Sequence, residues 1–169
     1  AGTSGGGSSG TVTVKPGASG GGAVAEVEDR VRVRISAGYG YMHSFHYVHV
    51  PLDFGVRLVA GLFIDVGLEA GIAGPSDHGT VLLPTASLGA SYRIPLGVFQ
   101  PRLGAVGRIA LDSSPSDGDR MGVKGGWAGR VGFDIVPEDL ALLLGFDVQA
   151  GMLGEPFWLS AAFGVGARF

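Results

Sequence analysis

From Val31 to Phe169 the chain alternates apolar and polar residues with a period of two, and within each run the charges share one parity. Successive strand side chains point to opposite faces, so this pattern predicts strands with one apolar and one polar face. In the first run Val31, Val33, Ile35, Ala37, Tyr39 and Tyr41 lie opposite Arg32, Arg34 and Ser36. Later runs set Val48 to Leu58 against His49, Asp53 and Arg57, and Leu62 to Ile72 against Asp65 and Glu69. The fourth and fifth put Arg93, then Gln100, Arg102 and Arg108, opposite apolar rows ending in Tyr92 and Leu111. The last three put Lys124, Arg130 and Asp134, then Asp147 and Gln149, then Ser160 and Arg168, on the polar side. Phe63, Leu83, Leu143 and Trp158 are apolar exceptions on the charged face, expected to help fill an interior.

Composition narrows what such strands build. Charged residues make up 16% of the 169, below the usual ~25%, while hydrophobic residues are an ordinary 46%. No run approaches the ~18 apolar residues of a membrane-crossing helix. The other structure that satisfies every backbone group in lipid is a closed barrel, which needs only alternate residues to be apolar. The predicted fold is therefore all-β: an eight-stranded antiparallel up-and-down transmembrane β-barrel. Cysteine is absent, so disulfides and thiolate metal sites play no part. A net charge of −3 without a basic run argues against nucleic acid as a partner.

Residues 1–28 differ in character. Gly5 to Gly10 and Gly20 to Gly22 have flexible-linker composition and flank a short alternating stretch, Thr11 to Val14. The expected organisation is a Gly/Ser-rich N-terminal tail or linker at 1–28 and a barrel at 29–169. Ala1 follows either a removed signal peptide or an upstream domain. Connections are expected to alternate in length. Gaps at Met42–Tyr47, Ala73–Thr80, Asp112–Arg120 and Leu153–Pro156 alternate with tight ones near Val59–Gly61, Pro95–Gly97 and Pro137–Asp139. Short periplasmic turns and longer outside loops follow that rhythm in outer-membrane barrels, which would leave both ends of the barrel periplasmic.

The ending Phe163-Gly-Val-Gly-Ala-Arg-Phe169 resembles the last strand of bacterial outer-membrane barrel proteins. Phe163, Val165, Ala167 and Phe169 share one apolar parity and resemble the signal read by the barrel-insertion machinery. With the eight runs, residues 29–169 resemble the small OmpA/OmpX-type barrels. The resemblance implies a Gram-negative outer membrane, contact with its lipid and lipopolysaccharide, and a periplasmic tail. A soluble lipocalin-type barrel is the competing fold, with the apolar side inward. Against it stand the charge-free face and aromatics near run ends (Tyr39, Tyr41, Tyr92, Phe99, Phe133, Phe157, Phe169), as in membrane-interface girdles.

Candidate functional residues come from the charged face. Arg32, Arg34, Asp53, Arg57, Asp65, Glu69, Arg93, Arg102, Arg108, Lys124, Arg130, Asp134, Asp147 and Arg168 are expected to form a lumen charge network. An eight-stranded barrel only just accommodates its side chains, so these charges must pair or stay hydrated. The primary expectation is a filled lumen; the basic excess makes a narrow anion-preferring pore the alternative. His43, His46 and His49 recur at spacing three, with His78 further on, but no carboxylate joins them locally, so no metal or cofactor is expected. A lipid A-modifying enzyme using His43, Ser44, and His46 or His49 is a second alternative, although adjacent His43 and Ser44 point to opposite faces when extended. Glycines such as Gly125, Gly129 and Gly132 lie within strands and lack the strand-to-helix setting of a phosphate loop. The expected role is non-catalytic: a structural anchor or partner-binding module of the cell envelope, with residues 1–28 reaching a periplasmic partner.

Overall fold

The computed structural model describes residues 30–42, 45–76, 79–112 and 122–169; the expected tail at 1–28 lies outside the described residues. Eight strands follow one another: β1 (Val31–Met42), β2 (Phe45–Val59), β3 (Leu62–Ser76), β4 (Gly79–Arg93), β5 (Phe99–Asp112), β6 (Gly122–Ile135), β7 (Leu142–Leu153) and β8 (Phe157–Arg168). Each pairs antiparallel with the next, and β1 pairs with β8 to close the barrel. Phe169 completes the seam through its backbone. Its N–H donates to the Val31 carbonyl at 2.9 Å, and its own carbonyl accepts from Arg30 and Val31 at 2.8 and 3.1 Å. The end where β1 begins and β8 finishes is called the terminal end below, and the opposite one the far end.

The outward parity is apolar across the band, with His46 the polar exception near one end. Ile35, Val48, Leu68, Leu88, Leu103, Val131 and Phe163 are each more than half exposed. Soluble monomers rarely expose contiguous apolar patches beyond a few hundred Å². An apolar band around a closed sheet whose charges point inward is therefore a lipid-facing surface, and the lipocalin-type arrangement is excluded. Aromatic rings cluster near both ends of the band. Phe99, Phe133 and Phe146 form a row with ring centroids 5.2 and 5.7 Å apart, and His46 packs against Tyr39 and Tyr41 at 5.5 and 5.1 Å.

Connection lengths depart from the sequence reading. Turn-rich Gly74-Pro75-Ser76 belongs to β3, and β2 starts at Phe45, so the first two far-end connections are only residues 43–44 and 77–78. The strands are 12 to 15 residues long, more than the ~9–11 needed to cross a bilayer, so hairpins continue as paired sheet past the apolar band. The long far-end connection is 113–121, outside the described residues.

At the terminal end, the β2–β3 turn depends on Gly61, whose φ of +76° is a left-handed conformation. A Cβ there would also lie 2.7 Å from the Arg93 carbonyl. Gly97 in the next turn has a φ of +64° but open space around it. Gly61→Ala is expected to cost more than the ~1–2 kcal/mol of the left-handed strain alone, and Gly97→Ala about that amount. Urea titration of both variants checks the ordering; equal losses would mean that the carbonyl contact is irrelevant.

Candidate functional site

The inward parity builds a filled lumen in layers. Near the terminal end Phe63, Leu143 and Val136 are almost completely buried. The guanidinium carbons of Arg32 and Arg93 lie 5.1 and 3.9 Å from the Phe63 ring centre, so this apolar exception is a cation–π partner.

Above it lies a lattice of five arginines (Arg32, Arg34, Arg93, Arg102, Arg130) and four aspartates (Asp53, Asp65, Asp134, Asp147). Asp147 is its hub. Its carboxylate accepts from Arg34 and Arg102 and from Arg130 at 3.0 and 3.1 Å. Asp134 lies 3.3 Å from Arg32 and Arg93, 3.6 Å from Arg34 and 3.7 Å from Arg102. Asp53 bridges Arg34 at 2.8 Å and Arg130 at 2.9 Å, and Asp65 meets Arg93 at 3.3 Å. Gln100 accepts from Arg32 at 2.8 Å. Planar guanidinium groups with several donors suit this sharing, since each reaches more than one carboxylate.

Small residues make the room. A Cβ on Gly145 would meet Asp134 Oδ1 at 2.8 Å and run into the Arg34 guanidinium. A Cβ on Gly55 would lie 2.9 Å from Asp65 Oδ1. β8 brings Gly164 and Gly166 beside Ser36 and Arg34. Much of the glycine richness thus serves the lumen, where backbone is kept thin against bulky charged groups.

Toward the far end sits a separate island. Glu69 accepts from Arg108 at 2.5 Å, and its other oxygen is 3.3 Å from His49 Nδ1. Arg108 also stacks over Trp158, 4.1 Å from the ring centre. An apolar cap then closes the lumen: Met42, Tyr47, Leu83, Val106, Ala110, Ala128, Leu153 and Trp158 pack as one buried cluster. The void within the charge lattice is about 10 Å³, room for at most a single water.

Three candidates of the right parity stand elsewhere. Lys124 is exposed, because the β6–β7 ladder stops at Gly126–Leu153 and β6 overhangs the wall there. Arg168 donates to the carbonyls of Pro137, Glu138 and Leu140 at 2.8 to 3.1 Å, clasping the β6–β7 connection at the terminal rim. Arg57 is half-buried at the same rim beside Arg30 and Val59. Parity sets the face a side chain takes, but its height along the axis decides whether it meets the lattice. Among the described residues six buried arginines then face five carboxylates, and most of the basic excess that favoured an anion pore disappears.

The histidines separate. His46 points outward among tyrosines while His49 is buried inside, so they cannot serve one site. His43, Ser44 and His78 lie outside the described residues. Among the described residues no cluster of His, Cys, Asp or Glu suits a metal ion. Sequence reasoning missed Gln100 as an arginine partner and the cap residues Met42, Tyr47, Val106 and Leu153. The shared parity of Tyr47 and His49 was the available signal for one of them.

A closed sheet with an apolar exterior and a charge-filled interior defines an integral membrane β-barrel. Solved structures agree on the fold. The chain is similar to Neisserial surface protein A, NspA (TM-score 0.63, 13% identity, covering 82% of this chain and 97% of that one). It is also similar to Ail, the attachment invasion locus protein of Yersinia pestis (0.59, 14%, 85% and 100%). A third similar structure is the outer membrane enzyme PagL (0.55, 14%, 78% and 97%). No protein-family model and no curated protein sequence matches the chain. The fold is that of the small outer-membrane barrels, of OmpA/OmpX type.

Proposed function

We propose that this protein is a non-conducting, non-catalytic barrel of the bacterial outer membrane that serves as an anchor or partner-binding module. The observation that carries the reading is the filled lumen: a lattice with a void of about 10 Å³, closed at the far end by the Trp158 cluster. A barrel that neither passes solutes nor holds a catalytic group inside offers its rims, its outer wall and its tail. In the proposed orientation the terminal end faces the periplasm, where residues 1–28 tether a partner, and the Phe163–Phe169 strand engages the insertion machinery. The similar barrels include a surface protein and an enzyme, and one architecture hosting unlike roles transfers none of them.

Planar-bilayer recording tests the sealed lumen. Purified protein is expected to give no steady unitary currents, and their appearance would revive the anion pore. For the non-catalytic part, lipid A from expressing cells is expected to keep its acyl pattern by mass spectrometry. An altered pattern that disappears in Ser44→Ala would make the protein an enzyme. The anchoring role is tested by crosslinking through residues 1–28, with recovery of a periplasmic partner expected; capture of nothing by tail or rim would count against it.

A further inference from the structure

The charge lattice of the lumen is not balanced. Among the described residues its five arginines face four aspartates, while Arg108 is matched by Glu69 in the separate island. Arginine stays protonated in a protein, so the excess positive charge is not shed by losing a proton. Apolar layers close both sides: Phe63, Leu143 and Val136 toward the terminal end, and the Trp158 cluster toward the far end. A buried charge left without a counter-charge is strongly destabilising.

Hydrogen-bond donors are in excess as well. Nε and Nη1 of Arg34, Nε and Nη1 of Arg93 and Nε of Arg102 are buried without an aligned hydrogen-bond partner. Among the lattice carboxylates only Asp65 Oδ2 and Asp134 Oδ1 are in the same position. These three arginines and two aspartates all line the void of about 10 Å³, and the arginine side chains are only 2 to 5% exposed. Glycine shapes the niche, since a Cβ on Gly55 would lie 2.9 Å from Asp65 Oδ1 and 3.5 Å from Arg93 Nη1. A void of this size takes one particle about as large as a water.

We propose that the lattice binds one small monovalent anion of the halide class, held among Arg34, Arg93 and Arg102. A halide accepts from several N–H donors at once, and it carries the single charge that balances the lattice. Water has the size but brings no charge, and oxyanions such as sulfate are too large for the void. Asp53, Asp65 and Asp134 also line the void and repel an anion, so the arginine excess limits the site to one charge. Chloride, slightly larger than a water, requires the flexible arginine ends to give. The inference rests on the sealed lumen, because in an open one solvent ions would screen the excess charge.

Equilibrium urea unfolding in lipid vesicles tests the proposal, with the barrel refolded in sodium chloride or in sodium gluconate of equal ionic strength. Gluconate is too large to enter. Chloride is expected to raise the folded-to-unfolded ratio about tenfold over gluconate, as for a ligand at about ten times its Kd. Arg102→Met leaves lattice arginines and aspartates equal in number and should abolish the preference for chloride. Asp65→Asn enlarges the positive excess and should widen it. Lys124→Gln, outside the lattice, should leave it as in wild type. Crystals grown with bromide in place of chloride should show an anomalous peak among Arg34, Arg93 and Arg102. No chloride preference in wild type, an equal preference in Arg102→Met, or bromide at the rim arginines alone would overturn the proposal and leave at most a water in the void. If Arg102→Met fails the heat-dependent gel shift of a folded barrel, Asp65→Asn decides: a preference no greater than wild type overturns the site. Unitary currents would refute the sealed lumen, whereas a missing chloride preference in a silent barrel would refute the anion alone.

Discussion

Replacing Asp147 with Asn is expected to destabilise the folded barrel by about 3–5 kcal/mol, the range for removing one partner of a buried ion pair. Asp147 is bonded by Arg34, Arg102 and Arg130, so three guanidinium groups at once lose the negative charge and one of the two oxygens of their shared acceptor, and meet an amide N–H donor instead. The void that Arg34 and Arg102 line holds about 10 Å³, room for at most a single water to compensate. Urea unfolding in lipid vesicles, followed by the gel shift, should show a lower midpoint with an unchanged slope. Asp65→Asn, which deprives Arg93 alone, should cost less. Pairing Asp147→Asn with Arg102→Met should lose less than the two single changes summed, because both belong to one network. A loss within ~1 kcal/mol of wild type for Asp147→Asn would mean that the arginines find water or other acceptors, and the lattice would no longer explain the closed lumen.

The second large effect concerns the opposite face. Leu88 lies in the middle of β4, outward and 63% exposed. Leu88→Arg is expected to cost about 2–4 kcal/mol in a bilayer, the range for a cation at the midplane of a barrel's lipid face. In a soluble barrel the same change at an exposed site would fall within about ±0.5 kcal/mol. Ile94→Arg, beyond the last β4 residue at the terminal end, should cost only ~0–1 kcal/mol. Equal, small effects at both positions would place the outer wall in water and remove the membrane assignment.

These two faces were legible in the sequence because alternation is local. Whether Asp147 or Leu88 points in or out follows from its parity within one run, and no partner strand is needed to read it. The closing strand was equally visible, since Phe163, Val165 and Ala167 share the parity of Phe169. Contact inside the lumen was not legible. Lys124 and Arg130 have the same parity on one strand, yet Arg130 joins Asp53 and Asp147 while Lys124 stands exposed beyond the wall. Arg168 and Arg32 are register partners at the seam, yet one clasps a turn and the other enters the lattice.

By itself, then, the sequence determined a closed barrel of eight strands, its lipid-facing and interior residues, and the absence of any helical route across a membrane. Strand period and the need to satisfy backbone groups in lipid suffice for that. Only the tertiary structure decided which charges meet and that aromatic and aliphatic side chains cap them. Those outcomes depend on the stagger between strands, which places residues far apart in the chain at one height, and no local pattern encodes that height.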